Sequence, residues 1–528
     1  MSRYSVIAFV LALGTCALGL ARGSFAVGAT DAYGYVSEAD LIAHGTLRID
    51  QQFVRALSWP FADRSFAPPG YLPAIERGFI VPIYPAGAPL VMALFQRAAG
   101  RGAVFYVVPL LGGLCVWMTF ALGASTHSRL AGVLAALLVA TSPSFMTELM
   151  APASDVAATA WWTTALMLTV RGGSLGALGA GAGVSLAVLT RPNLVPLVVV
   201  VGLFWVWRLA RGEVNAARFV ALFAGAAVPG CVAVAAINQF LYGSPLSSGY
   251  GSFRVLYDLR YALPNLDRYP RWLLQTQTPF IVLAMAAPLF SRVSRDRQTS
   301  RRLETGHVVL LLSFAAVVML SYLFYLPFGR DEWVYLRFLL PAYPSLLVLA
   351  VAVTIEASRL VRAREAVRTA GALIVCVTVA GWQARASVER GALAARLIDQ
   401  RYVDVGRYID VTLPSDSVVI ASLHAGSIRY YSGRRTLNYD RLERRWLDEA
   451  VAELRRSGAR PFIALEEGEM PSFRERFGEL NVLGRLDWPP MAERREPIRV
   501  RIYDPADRER FQRGETIETQ SIQPARRR

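Results

Sequence analysis

The sequence predicts a polytopic α-helical membrane protein, about 11 transmembrane helices followed by a C-terminal soluble α/β domain. Three observations carry that expectation. Of 528 residues, 54% are hydrophobic and only 18% charged, with a mean hydropathy of +0.35. Apolar runs of roughly 20 residues, the length that crosses a bilayer, recur as far as about residue 386. Beyond that point the chain turns charged and alternates short strand and helix patterns. The net charge of +16 comes entirely from arginine, since the sequence contains no lysine. Most of those arginines sit in short loops between apolar runs, which reads as topology information and argues against nucleic-acid binding. The four cysteines, Cys16, Cys115, Cys231 and Cys376, fall inside apolar segments, leaving no disulfide framework and no zinc-ligand spacing.

The first apolar run, from about Tyr4 to Val27, is long enough to span and reads as a retained helix rather than a cleaved signal. Residues 29–101 follow as a large polar and aromatic outer loop. Ser37 to His44 and Gln51 to Leu57 read as short amphipathic helices in the interface plane. Prolines and glycines punctuate the rest. Leu90 to Ala99 is too short to cross and is expected to lie along the outer surface. Ten further spans fit 103–123, 130–147, 155–170, 174–190, 192–208, 217–240, 272–290, 307–326, 337–355 and 369–386. The glycines of 174–190 (Gly176, Gly179, Gly181, Gly183) are the small-residue signal of closely packed helices.

Counting crossings from an inner N-terminus assigns the basic loops to the inside. These hold Arg129, Arg171, Arg208–Arg218, Arg292–Arg302 and Arg359–Arg368, as positive-inside bias requires. The outer side then collects the 29–101 loop, Glu148, Asp155, Thr190–Asn193, the 241–271 and 327–336 loops, and residues 387–528. Within that last part Ser417–Ala421 and Arg460–Leu465 read as buried strands, Leu442–Ser457 as an amphipathic helix, and Ile498–Tyr503 as an edge strand. A parallel core follows from that spacing, with a disordered tail from about residue 513. The domains expected are thus 1–386, transmembrane with its outer loop, and 387–528, a small outer-face domain.

Acids, arginines and tyrosines therefore converge on one face of the membrane. A lipid-linked phosphate substrate calls for that set: a carboxylate to take a proton, cations for the phosphate, and aromatics at the interface. Asp31 follows the first span, with Tyr33 and Tyr35 close behind. A general base and a helix cap are both open readings of it. Asp155, with Glu148 nearby, reads as an assisting acid, a metal ligand or a cap of the fourth span. Arg191 and Arg337 head spans on the outer side, where phosphate contact competes with snorkelling to headgroups.

Asp31, the run Tyr84–Leu90 (Tyr-Pro-Ala-Gly-Ala-Pro-Leu), Ser154-Asp155, Thr190-Arg191-Pro192 and Leu336–Pro341 occur in an order and sidedness that resemble the GT-C superfamily of membrane glycosyltransferases. The resemblance covers roughly residues 1–360 and is nearest to the bacterial branch of protein O-mannosyltransferases and aminoarabinose transferases. It implies an enzyme of the bacterial cytoplasmic (inner) membrane with its active site facing the periplasm. Such an enzyme transfers a hexosyl or pentosyl group from a polyprenyl-phosphate donor to an envelope glycan, lipid or protein. It also implies Asp31, Asp155 and Glu148 as catalytic candidates, and Tyr33, Tyr35, Tyr84, Arg191 and Arg337 as substrate-binding ones. The family often has two adjacent acids where this chain has Asp31-Ala32. The resemblance makes no cofactor certain, and a divalent metal on Asp31 and Asp155 stays open. The alternative class is a transporter or flippase of a lipid-linked glycan, which favours ionisable residues buried mid-span and internal repeats. A non-catalytic scaffold is the third, for which the large polar first loop would be superfluous.

Overall fold

The computed structural model describes residues 2–291, 303–327 and 332–525. Eight of its helices are long and apolar enough to cross a membrane, and two bent helix pairs raise the number to ten. The chain opens with α1 (Arg3–Arg22), its N-terminus closed by Ser2, whose hydroxyl accepts the Ser5 N–H. Next come α2 (Asp31–Ala43), the single turn α3 (Ala62–Ser65) and α4 (Gly87–Ala99), all in the first loop. The bundle continues with α5 (Val107–Thr126), α6 (Arg129–Thr141), α7 (Pro143–Leu149), α8 (Asp155–Arg171), α9 (Gly173–Thr190), α10 (Pro196–Ala210) and α11 (Ala216–Tyr242). The turn α12 (Phe253–Leu256) leads to α13 (Ala262–Gln277), α14 (Ala287–Phe290), α15 (Thr305–Leu323), α16 (Tyr343–Ser358) and α17 (Glu365–Glu389). With α8, only 17 residues long but buried at the centre of the bundle, each of the eleven expected segments has a counterpart.

Two of those segments are not straight. The expected 130–147 span breaks between α6 and α7 with a 64° bend, where Ser142 precedes Pro143. The expected 272–290 span bends by 105° at Thr278, whose φ of 58° and following Pro279 stop the helix. Small residues do what their spacing predicts: a Cβ on Gly181 would stand 2.4 Å from the Phe223 carbonyl oxygen, and one on Gly230 2.5 Å from Ser185 Cα. Helices α9 and α11 therefore touch backbone to backbone, and Ser185 Oγ bridges them by donating to Ala226 O and accepting from Gly230 N, each at 2.8 Å.

The first loop differs from expectation. Instead of a short interfacial helix from Ser37, α2 starts at Asp31 and is buried over Tyr33–Ala39. Strands β1 (Ile49–Asp50), β2 (Tyr71–Pro73) and β3 (Phe79–Pro82) form a small antiparallel sheet of order β1-β3-β2. The expected helix at 51–57 is a single 3-10 stretch, Gln52–Ala56.

After α17, helix α18 (Ala395–Thr412) leads into a six-stranded sheet. It comprises β4 (Ser417–Ala421), β5 (Arg435–Asn438), β6 (Arg460–Glu466), β7 (Ala492–Arg494), β8 (Val500–Tyr503) and β9 (Gln520–Ser521), in the order β5-β4-β6-β8-β7-β9. The β5-β4-β6 part is parallel, with α19 (Ala425–Ser432) and α20 (Leu447–Arg456) as its connections. Strand β8 is not an edge: it runs antiparallel between β6 and β7, its alternation reflecting cover on both sides. The tail expected to be disordered from about 513 instead adds β9 beside β7 and buries Ile522. Val54, Trp59 and Phe66 of the first loop share one core with Ile420, Leu437, Phe473 and Phe477, so the loop forms a layer against the C-terminal sheet. The arginine loop at 292–302 lies outside the described residues, as does 328–331 of the 327–336 loop.

Candidate functional site

Eight chain segments meet at one cavity of about 400 Å³: the start of α2, the stretch before α4, the start of α8, the end of α9, the end of α11, the 248–257 loop with Tyr250 and Tyr257, the end of α15 and the 3-10 turns before α16. Helix ends are natural places for charge, because their unsatisfied N–H and C=O groups face outward. Asp31, the first residue of α2, projects here together with Tyr35 one turn on. Asp31 accepts two hydrogen bonds, from the Tyr84 hydroxyl at 2.5 Å and from Arg337 Nη1 at 2.7 Å. Burial alone would push its carboxyl up; the Arg337 charge and the Tyr84 hydroxyl outweigh it and hold the group below its ordinary value. Burial and the Asp31 charge push the Tyr84 phenol well up, so it acts as donor.

A second pair sits deeper. Arg191, just past α9, is bound to Asp155, the first residue of α8. Its Nε also reaches Ser154 Oγ at 3.4 Å, and Ser154 shares a 2.7 Å hydrogen bond with Tyr35. The side chains of Asp155 and Arg191 are 3% and 9% exposed, against 34% and 23% for Asp31 and Arg337. The inner pair is thus closed off within the wall, while the outer pair is open to the cavity. Arg337 Nε finds no acceptor among the described residues, which leaves this fork with a spare donor.

The sequence-selected residues Asp31, Tyr35, Tyr84, Asp155, Arg191 and Arg337 all line this cavity. Glu148, on α7, is buried within electrostatic range of Asp155, Arg337 and Asp31 but does not line it. Tyr33 is not brought to it. It points from the other face of α2, its ring tilted against Tyr71 and packed on Gly426, where a Cβ would meet it at 2.3 Å. Sequence reasoning did not single out Tyr322, Tyr325 and Phe338. Tyr322 accepts from Asn193 Nδ2 at 2.8 Å and stacks on Phe338, and both Arg191 and Arg337 lie over the Phe338 ring. Two tyrosines at the end of a span were the available signal, and an interfacial belt explains them equally well.

No three His, Cys, Asp or Glu side chains converge as ligands among the described residues, and Asp31 and Asp155 are each taken up by a guanidinium.

Comparison with solved structures places this architecture. The oligosaccharyltransferase of Archaeoglobus fulgidus superposes with a TM-score of 0.55 at 12% identity, covering 92% of this chain and 73% of its own. The chain has the GT-C fold. Apo ArnT from Cupriavidus metallidurans matches the same fold with a TM-score of 0.50, 13% identity, and 89% and 94% of the two chains covered. The mycobacterial arabinofuranosyltransferase AftD matches with 0.53 at 14% identity over 88% of this chain, which spans 35% of that larger one. No family model and no curated relative matches the sequence. Within this fold the cavity lies at the end of the bundle that adjoins the first loop and the C-terminal sheet.

Proposed function

We propose that the protein is a membrane glycosyltransferase that moves a sugar from a polyprenyl-phosphate donor to a hydroxyl of an envelope glycan, lipid or protein acceptor, on the periplasmic face of the bacterial cytoplasmic membrane. The observation that carries this reading is the Asp31–Arg337 pair, a base candidate and a phosphate-binding candidate joined at 2.7 Å and open to the cavity. The fold supports it: the Archaeoglobus fulgidus enzyme has been solved with an inhibitory peptide and dolichol-phosphate, at a TM-score of 0.55. The pair works as follows. The donor's phosphate oxygens compete with Asp31 for the Arg337 fork, and as Arg337 turns to the phosphate Asp31 loses the charge that kept it a weak base. The acceptor hydroxyl oxygen then attacks the anomeric carbon while its proton passes to Asp31. The carbon–oxygen bond to phosphate breaks, and its electron pair leaves with the polyprenyl phosphate, stabilised by Arg337. Direct displacement inverts the anomeric centre. Tyr84 holds Asp31 in place, and Tyr35, Tyr250 and Tyr257 flank the sugar and the lipid head.

An Archaeoglobus fulgidus relative in fold was also solved with zinc and sulfate. Here the carboxylates face guanidinium groups, so the phosphate charge is answered by Arg337, with Arg191 behind it. Incubating purified protein with a panel of polyprenyl-phosphate sugars tests the reading. At least one donor should yield free polyprenyl phosphate and a glycosylated acceptor. Movement of an intact lipid-linked sugar across vesicles, with no glycosidic bond broken, would instead mark a flippase.

A further inference from the structure

On the opposite face of α2, four arginines gather where the first loop meets the C-terminal sheet. Two adjoining hollows of about 350 and 300 Å³ share Arg429 and Arg435, and the second also takes in Arg101 and Arg434. Their carboxylates are two, and both are engaged. Asp40 accepts from Gln96 at 2.7 Å and lies 3.5 Å from Arg101, while Asp50 accepts the Gln52 N–H at 2.8 Å. Four guanidinium groups against two carboxylates leave a surplus of two positive charges.

The arginines differ in what they have left to give. Arg434 spends its donors on backbone oxygens of Asp410, Leu413, Pro414 and Ser432, closing the turn before β5. Arg429 uses Nε on Thr436 Oγ1 at 2.7 Å and Nη2 on Phe66 O, also at 2.7 Å; its Nη1 has no acceptor among the described residues. No described carboxylate pairs with it. Its neighbours are the neutral phenols of Tyr33 and Tyr71 and a second cation, Arg435, and burial holds its guanidinium below the ordinary value. Taking a guanidinium out of water beside another cation is costly unless an anion compensates it. Arg435 is exposed and lies over the Phe53 ring at 4.1 Å, with no ion pair among the described residues.

We propose that this junction is a binding site for an oxyanion, a phosphate or a sugar carboxylate, gripped between Arg429 Nη1 and the Arg435 fork. Two unfilled guanidinium donors over a hollow lined by Tyr33, Ser37 and Tyr430 suit a charged group carried on a sugar. It is separate from the cavity at Asp31. Tyr33, Ser37 and Asp40 lie along one face of α2, and Asp31 and Tyr35 along the other. The inference does not depend on the transfer reaction, because its test reads binding alone.

Full-length protein in phosphatidylcholine nanodiscs is titrated calorimetrically with inorganic phosphate, methyl glucuronide and neutral methyl glucoside. Phosphate or the glucuronide should bind saturably and more weakly as salt rises, with no binding of the glucoside. The tighter of the two anions tells a phosphorylated group from an acidic sugar. Arg435→Ala, at an exposed position, should keep the melting temperature and weaken the anion by about fivefold or more, with Arg429→Gln weaker still. Arg337→Ala should leave this affinity unchanged. An affinity unmoved by Arg435→Ala, a loss confined to Arg337→Ala, or no saturable binding of either anion would overturn the proposal.

Discussion

In the proposed reaction Arg337 divides its attraction between Asp31 and the donor phosphate, which sets the chemistry of both. In the structure it faces Asp31 and lowers that carboxyl, so stability from the pair is present above the ordinary carboxylate range and is lost as pH falls through the depressed value. A phosphate that claims Arg337 removes this depression, and burial then pushes Asp31 up. Free enzyme and complex should therefore titrate differently. The acid limb of kcat/KM, which reports free enzyme, should lie at lower pH than that of kcat, by about one unit or more. In Arg337→Gln both limbs should sit at the higher position, and donor affinity should fall by about 2 kcal/mol. Identical limbs in the wild type would show that the donor leaves the pair intact. Arg191 answers to a different rule. Because its pair with Asp155 is buried, Arg191→Ala strands a carboxylate and should cost about 3–5 kcal/mol in stability, seen as a large loss of melting temperature.

At the scale of elements, the cavity depends on helix ends meeting closely. Helix α4 begins at Gly87, where a Cβ would stand 2.4 Å from Thr190 N and 2.5 Å from the Leu189 carbonyl carbon, one residue before Arg191. Gly87→Ala should thus lower stability by about 1–3 kcal/mol. Gly225→Ala, on the spanning helix α11, meets nothing within 4 Å and should leave the melting temperature unchanged or raise it. Much of this was legible in advance. Arginine-rich loops led to the expectation that Asp31, Tyr84, Asp155, Arg191 and Arg337 share one side of the bundle, and the structure brings all five to one cavity. Tyr33 was misplaced because α2 was expected to start at Ser37. Once it starts at Asp31, the 3.6-residue period sends residues 31 and 35 one way and 33 the other. The bends at Ser142 and Thr278 were hidden because hydropathy records how apolar a run is and not its direction. Strand β8 looked like an edge because alternation reports a pleat, while the partner that covers it, β7, is only three residues long.

For the whole molecule, the account requires the first loop and the C-terminal sheet to share one compartment, as their common core demands. In a background lacking the four native cysteines, Thr46→Cys and Ser472→Cys, both exposed, should react with an impermeant thiol reagent added outside, and Val361→Cys should react after permeabilisation. Equal reaction of all three from outside would sink the topology. The central claim, that Asp31 takes the acceptor's proton, is tested most directly on one preparation of Asp31→Asn, by melting temperature together with single-turnover sugar transfer. Asparagine keeps the size and can still meet Tyr84 and Arg337, but it cannot accept a proton. The account predicts a folded, donor-binding protein whose transfer step is slower by at least about a hundredfold. A lowered melting temperature with turnover per folded molecule intact would contradict it, and leave Asp31 as a structural partner of Tyr84 and Arg337.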